Sequence, residues 1–189
     1  MFSMRRLNIA SVVVFTFFTL IATLVTGAML SPDSYRISPV GVSITSSSSL
    51  PIEVQNQEAA DLHYGFDRST TSEFVLFDAA SIFIDFANDE SFDAMRVHGP
   101  APYLVSVFAS DGKNANWSPV NDLQNIDLSV LSEGWTSLAM SSGAMANKFR
   151  LDFVLQAGAS ATGLSEVEFW GTATHVATAT GGEAIDALG

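Results

Sequence analysis

The sequence contains no cysteine. It therefore forms no disulfide and no thiolate metal site, and it offers neither a cysteine nucleophile nor a cysteine for lipid attachment. The fold must be held by core packing. Any structural ion must be a hard cation bound by oxygen atoms.

Basic residues are also scarce. Eight lysines and arginines stand against twenty acidic residues, which gives a formal charge of −12. Two of the eight, Arg5 and Arg6, lie in the N-terminal leader. A chain this acidic repels phosphate backbones and anionic lipid, so we predict no nucleic-acid partner. Neutral sugars, cations and basic surfaces remain open as partners.

Catalytic motifs are missing as well. The three histidines are far apart, and there is no nucleophile elbow, no His-Glu-x-x-His motif and no phosphate-binding glycine loop. Glu166 and Glu168 lie two residues apart on one predicted strand, so they project in the same direction, with Cα atoms roughly 7 Å apart. Paired catalytic carboxylates face each other across a substrate. We therefore predict that the protein is not an enzyme.

One long apolar run occupies the N-terminus. Residues 7–30 carry no charge, and as a helix they would extend for about 36 Å, enough to cross a hydrocarbon core of about 30 Å. Small residues at Thr26 and Ala28 also suit signal peptidase. Residues 1–30 are thus a cleaved signal peptide or an uncleaved membrane anchor. Both alternatives predict a secreted or extracytoplasmic protein that contacts the membrane only through this segment if it is uncleaved.

The chain beyond the leader divides by composition. Residues 31–50 are polar and serine-rich, too poor in apolar area to offset their ordering entropy, and are predicted to be a flexible spacer. Residues 51–172 form the predicted folded domain. Residues 173–189 are small and rich in threonine and alanine, which indicates a flexible tail.

Period-two alternation of apolar and polar residues runs through the predicted domain. The inward positions of the two clearest strands are Ile82, Ile84 and Phe86 in one, and Phe149, Leu151, Phe153 and Leu155 in the other. Further strands are predicted at 95–98, 104–109, 135–140 and 165–170, with glycine, proline and aspartate turns between them. Only residues 120–131 are compatible with a short helix. The pattern predicts an all-β fold, a β-sandwich or jelly roll.

The order of these segments resembles that of a discoidin-like domain, also called the coagulation factor 5/8 type C or galactose-binding-like domain. The segment 64–71, an acidic turn followed by threonines, is similar to the opening of that domain, and 164–171 to its closing strand. The bacterial, sugar-binding-module branch is the most similar. The resemblance implies a non-catalytic module that binds a glycan or another cell-surface ligand, as in adhesion. The rival interpretation is a structural or assembly domain of a larger cell-surface protein.

The same resemblance implies a structural Ca²⁺ ion where the two ends of the domain meet. In the family, a carboxylate and threonine oxygens of the early turn, nearby backbone carbonyls and the first glutamate of the closing strand surround the ion. The matching positions are Asp67, Thr70, Thr71 and Glu166. Calcium accepts such mixed oxygen ligands. Alternatively, Asp67 braces an Asx turn and Glu166 faces solvent.

Residues suited to a sugar lie on the same loop. Sugar sites place an aromatic ring against the apolar face of a pyranose and use hydrogen-bonding groups for its hydroxyls. His63, Tyr64 and Arg68 supply these groups and are the predicted ligand-binding residues. Exposed and mutually close side chains would favour a ligand pocket, whereas a buried Tyr64 beside an open apolar patch would favour protein contact. Trp117 and Trp135 are predicted to be mainly structural.

Overall fold

The computed structural model describes residues 34–110 and 116–172. The predicted leader at 1–30 and the predicted tail at 173–189 lie outside these ranges. Within them, no helix combines the length and the apolar character that crossing a bilayer requires.

The described residues contain ten strands and one α-helix. The strands are β1 (Ser34–Ile37), β2 (Gly41–Ser46), β3 (Phe74–Val75), β4 (Ala80–His98), β5 (Tyr103–Ser110), β6 (Ser118–Pro119), β7 (Ile126–Asp127), β8 (Trp135–Leu155), β9 (Gly163–Leu164) and β10 (Glu166–Thr172). Helix α1 spans Ile52–Asp61, and short 3₁₀ turns lie at Leu62–Gly65, Asn121–Leu123 and Leu128–Val130.

Two long strands, β4 and β8, build both layers of a sandwich. They pair antiparallel with each other over most of their length. The first half of β4 also pairs with β2, and the second half of β8 with β5, which in turn pairs with β6 and β7. The second half of β4 pairs with β10, which pairs with β1. Register shifts interrupt β4 between Asp85 and Glu90 and between Phe92 and Ala94. Such irregularities bend a strand, and the sheet curls around one core.

The predicted strand faces are confirmed. Ile82, Ile84, Phe149 and Leu151 are fully inaccessible to solvent, and Leu155 is partly buried against the core. Four phenylalanines, each contributed by one of the strands β4, β8 and β10, fill the space between the layers with ring centroids 4.8 to 6.0 Å apart. They are Phe86, Phe92, Phe149 and Phe169.

The predicted flexible spacer at 31–50 is wrong for residues 34–46, which form β1 and β2. Both strands lie at sheet edges, where one neighbour strand supplies the backbone hydrogen bonds. Few of their side chains reach the core: Ile37 is buried, and Tyr35, Val42 and Ile44 pack against it partly. The apolar alternation of each strand therefore covers only two inward positions, which is too short to predict a strand from the sequence. The folded domain begins well before residue 51.

Helix α1 was not predicted because it has no apolar stripe. Glu58 is the buried residue of this helix, and its Oε1 accepts a hydrogen bond from the backbone N–H of Phe77 at 2.7 Å. A polar contact thus attaches α1 to the segment before β4, and the usual helical pattern is missing. The short helix considered for residues 120–131 is realised as two 3₁₀ turns.

Removing the first two strands is expected to destabilise the domain. A chain that begins at Pro51 loses β1, β2 and the packing of Ile37 and Ile44. Its urea midpoint, followed by tryptophan fluorescence, should be clearly lower than that of a chain that begins at Ser31. Equal midpoints would show that the two strands contribute nothing to stability.

A core substitution tests the strand phase in β8. Phe153 is buried and packs edge-on against Tyr103 with ring centroids 6.1 Å apart, so Phe153→Ala should cost about 3–5 kcal/mol of unfolding free energy. The adjacent Val154 is 50% exposed, and Val154→Ala should cost less than about 1 kcal/mol. Urea titrations measure both. Similar losses of unfolding free energy in the two variants would contradict the assignment of Phe153 to the inward face of β8 and Val154 to the outward face.

Candidate functional site

Two of the three predicted ligand-binding residues, His63 and Tyr64, lie on the 3₁₀ turn that follows α1, and Arg68 lies beyond its end. Leu62 and Gly65 are buried within this turn. A Cβ atom at Gly65 would come within 2.2 Å of the Phe74 ring, so the glycine lets the turn lie directly on the core. His63 and Tyr64, between these two anchors, are exposed. The buried residues Leu62 and Gly65 thus hold the turn against the core, and the rings of His63 and Tyr64 lie on its exposed side.

His63 and Tyr64 form one exposed aromatic unit. Their ring centroids are 3.9 Å apart with a tilt of 41°, and Tyr64 is 37% exposed. Nδ1 of His63 lies 2.8 Å from the carbonyl oxygen of Ala60. When Nδ1 donates to that oxygen, Nε2 carries a lone pair that can accept a hydrogen bond from a ligand hydroxyl. The pair therefore offers an apolar ring and a polar acceptor together.

Arg68 is also exposed, but its side chain bonds elsewhere. Its Nη2 donates to Oγ of Ser38 at 2.9 Å, in the loop between β1 and β2. Its backbone adopts a positive φ of 69°, and its N–H donates to Oε2 of Glu166 at 3.0 Å. The structure thus joins His63 to Tyr64 and ties the Arg68 guanidinium to the neighbouring loop.

A cavity of about 430 Å³ lies beside His63, between the end of α1 and the start of β2. Small-molecule sites typically measure about 300–1,000 Å³. The lining includes Pro39, Val40, Val42, His63, Phe66 and Asp67. Mostly apolar walls with two polar groups suit a small ligand that has one apolar face and several hydroxyls.

The early acidic turn is held by its own side chains. Oδ1 of Asp67 accepts from the backbone N–H of Ser69 at 2.7 Å, and Oδ2 accepts from Oγ of Ser72 at 2.7 Å. Thr70 and Thr71 are exposed, and Oγ1 of Thr71 lies 2.9 Å from Oγ of Ser69. Asp67 therefore braces an Asx turn, which is one of the two alternatives left by the sequence.

Glu166, by contrast, does not face solvent. It is fully buried at the start of β10. Arg36 Nη2 donates to its Oε1 at 2.9 Å, and the Arg68 N–H donates to its Oε2. The pKa of Glu166 is raised to about 7 as the net result of opposing effects. Burial is the largest cause of the increase, and the charges of Asp67 and Glu168 add to it. Arg36 and the backbone N–H of Arg68 act in the opposite direction.

The predicted Ca²⁺ ligands do not fit a bound ion in this arrangement. Calcium requires six to eight oxygens at about 2.3–2.6 Å. Both oxygens of Glu166 already meet positively polarised N–H groups, and both oxygens of Asp67 hold the turn. Across residues 34–110 and 116–172, no three acidic or histidine side chains cluster in a way that could hold a metal. Arg36, outside the predicted set, forms an ion pair with Glu166.

Sequence reasoning also missed two arginine clusters on the outer faces of the sandwich. Each guanidinium lies over two aromatic rings, as in cation–π pairs. The pairs are Arg96 with Trp135 and Trp170, at 4.7 and 5.3 Å from the guanidinium carbon to the ring centroid, and Arg150 with Phe108 and Trp117, at 4.3 and 5.5 Å. The alternation predicts which residues face outward on each strand. It does not predict the cross-strand register that brings the residues of one cluster together.

The fold is that of known binding modules. No protein-family model matches the sequence, and no curated protein matches it. Among solved structures, it is similar to a pectin binding carbohydrate binding module, with 16% identity, 70% of this chain and 91% of the other covered, and a TM-score of 0.55.

Two further structures show the same architecture. One is an F5/8 type C domain from Bacteroides fragilis, with 9% identity, 75% of this chain and 99% of the other covered, and a TM-score of 0.56. The other is the CBM32 of AlyQ in complex with 4,5-unsaturated mannuronic acid, with 11% identity, coverage of 71% and 97%, and a TM-score of 0.53. The chain thus has the discoidin-like β-sandwich fold, as its segment order predicted.

The raised pKa of Glu166 predicts a pH dependence of stability. A folded-state pKa of about 7 against an ordinary value of 4.5 means that the folded protein holds this proton more tightly. The resulting stabilisation is complete below about pH 4.5 and is lost as pH rises through about 7. Wild type should therefore lose stability relative to Glu166→Gln between pH 5 and pH 8 in urea titrations.

The exposed Glu133 provides the control for that measurement. The difference in unfolding free energy between Glu133→Gln and wild type should be the same at every pH. A constant difference between wild type and Glu166→Gln across this range would contradict the assignment.

Proposed function

We propose that this chain is an exported, non-catalytic module that binds carbohydrate at the His63–Tyr64 turn and the cavity beside it. The observation that carries the proposal is the exposed pair of rings, with centroids 3.9 Å apart, of which His63 lines a cavity of about 430 Å³. The predicted leader agrees with delivery outside the cytoplasm. Adhesion to a glycan-bearing surface is the role that such a module would serve.

Rigidity supports this assignment. Gly65 seats the turn on Phe74, and the Nδ1 contact with Ala60 holds the His63 ring. A ligand that meets preordered side chains loses little ordering entropy on binding. The exposed Tyr64 ring can pack against the apolar face of a pyranose, while His63 lies within the cavity lining to address its hydroxyls.

The exposure of Tyr64 favours a ligand site over a protein-assembly surface. A buried Tyr64 beside an open apolar patch was the arrangement expected for protein contact, and Tyr64 is instead 37% exposed next to an exposed His63. The polar groups at the cavity also suit hydroxyls better than an apolar protein surface.

Charge narrows the class of sugar. Two of the structures that share the fold are a pectin-binding module and a module with bound unsaturated mannuronic acid, and both of these sugars are acidic. This chain has a net charge of −12 and an aspartate in the cavity lining, which disfavours polyanions. The proposed ligand is therefore a neutral hexose or a neutral oligosaccharide.

A glycan array followed by calorimetry tests the proposal. Wild type should bind at least one neutral glycan, and Tyr64→Ala should weaken that binding roughly tenfold because a stacking ring is lost. Phe77→Ala is the matched control, since Phe77 is an exposed aromatic that belongs neither to the cavity lining nor to the His63–Tyr64 ring pair, and it should bind as wild type does. Equal affinity of the two variants, or no glycan bound at all, would refute the site.

A further inference from the structure

Two glutamates of β10 are buried on the outer face of the sheet. Glu166 is fully inaccessible and Glu168 nearly so. Buried carboxylates are costly unless cations and hydrogen bonds compensate them. Something at this place must supply positive charge.

Arg36 supplies it with both ends of its guanidinium. Nη2 lies 2.9 Å from Oε1 of Glu166, and Nη1 lies 3.2 Å from Oε1 of Glu168. The arginine side chain is itself largely buried, at 18% exposure. A planar guanidinium can bridge two carboxylates in this way, whereas a lysine ammonium is a single point charge.

Backbone pairing fixes where Arg36 lies. Strand β1 runs antiparallel to β10, with Arg36 opposite Trp170 and Ile37 opposite Phe169. Ile37 and Phe169 are buried in the core, so Arg36 lies on the opposite face, which Glu168 and Glu166 share. From that position its side chain extends along β10 to reach both carboxylates.

We infer that Arg36 is a built-in replacement for a structural cation: strand β1 carries into the junction of the domain ends the positive charge that an oxygen-bound ion would otherwise provide. The guanidinium delivers one charge and directed N–H donors, and its position is held by the β1–β10 ladder. The N–H of Arg68, presented by a positive φ, completes the shell around Glu166 from the other side. The two ends of the described domain are thereby joined by the protein's own residues.

Calcium titration of the full chain is the first test. Thermal unfolding is followed at pH 8, where Glu166 is mostly ionised, in a chelator and in millimolar Ca²⁺. Because a ligand bound only by the folded state raises Tm, wild type without an ion site should melt within about 1 °C in the two conditions. A rise of several degrees in Ca²⁺ overturns the inference.

Substitution of the arginine is the second test. Arg36→Gln should lower Tm by roughly 10 °C because it leaves the buried carboxylate of Glu166 without a cation, whereas Glu168 keeps its contact with Arg96. The control is Arg150→Gln, since Arg150 is also partly buried but pairs with the more exposed Asp152; its Tm should fall by only a few degrees. Equal losses in the two variants would mean that Arg36 is an ordinary surface arginine.

A double variant keeps the inference falsifiable even if Arg36→Gln folds poorly. Adding Glu166→Gln to Arg36→Gln removes the charge that the single substitution leaves unpaired. The double variant should therefore melt at a higher temperature than Arg36→Gln alone. This recovery is specific to charge compensation, because a merely structural loss at β1 would persist. A double variant that melts no higher than Arg36→Gln overturns the assignment.

Discussion

The continuity of β4 and β8 is the constraint on which the whole domain depends. Each strand takes part in both layers of the sandwich, so both strands must bend where the chain passes from one layer to the other. Their backbone pairing continues before and after the bend. The register shifts in β4 provide the bend, and the cluster that contains Phe86 and Phe92 fills the angle behind it. The other strands of the main sheet pair with these two directly or through a neighbouring strand, and β3 and β9 pair with each other in a separate small sheet.

The candidate site is a consequence of that arrangement. A sandwich with a closed core leaves few concave places, and one of them lies where α1 ends near the start of β2. Gly65 allows the chain to turn tightly over Phe74, so the residues next to it are held without contributing to the core. The side chains of His63 and Tyr64 are therefore exposed, as the proposed ligand site requires; loops on a rigid scaffold commonly carry binding residues.

This acidic chain has few basic residues, and those that the structure describes are paired with polar or acidic groups. Every basic residue in the part of the chain that the structure describes has a polar or ionic partner. The pairs are Arg36 with Glu166 and Glu168, Arg68 with Ser38, Arg96 with Glu168, Lys148 with Asp85, and Arg150 with Asp152. The pairing at Glu166 differs from the others because its carboxylate is fully buried, where an unpaired charge is far more costly than at the surface.

The sequence by itself determined the inward faces of the central strands and the order of segments typical of the discoidin-like fold, because alternation and turn chemistry are local patterns. It placed His63 and Tyr64 on a loop but left open whether Tyr64 is exposed. It did not reveal β1, β2 or α1, which bury few apolar side chains. Nor did it reveal the pairing of Arg36 with Glu166, whose partners are 130 residues apart. Only the tertiary structure decided these features, since edge strands depend on backbone bonds with distant strands and a buried charge on whichever cation the fold brings to it.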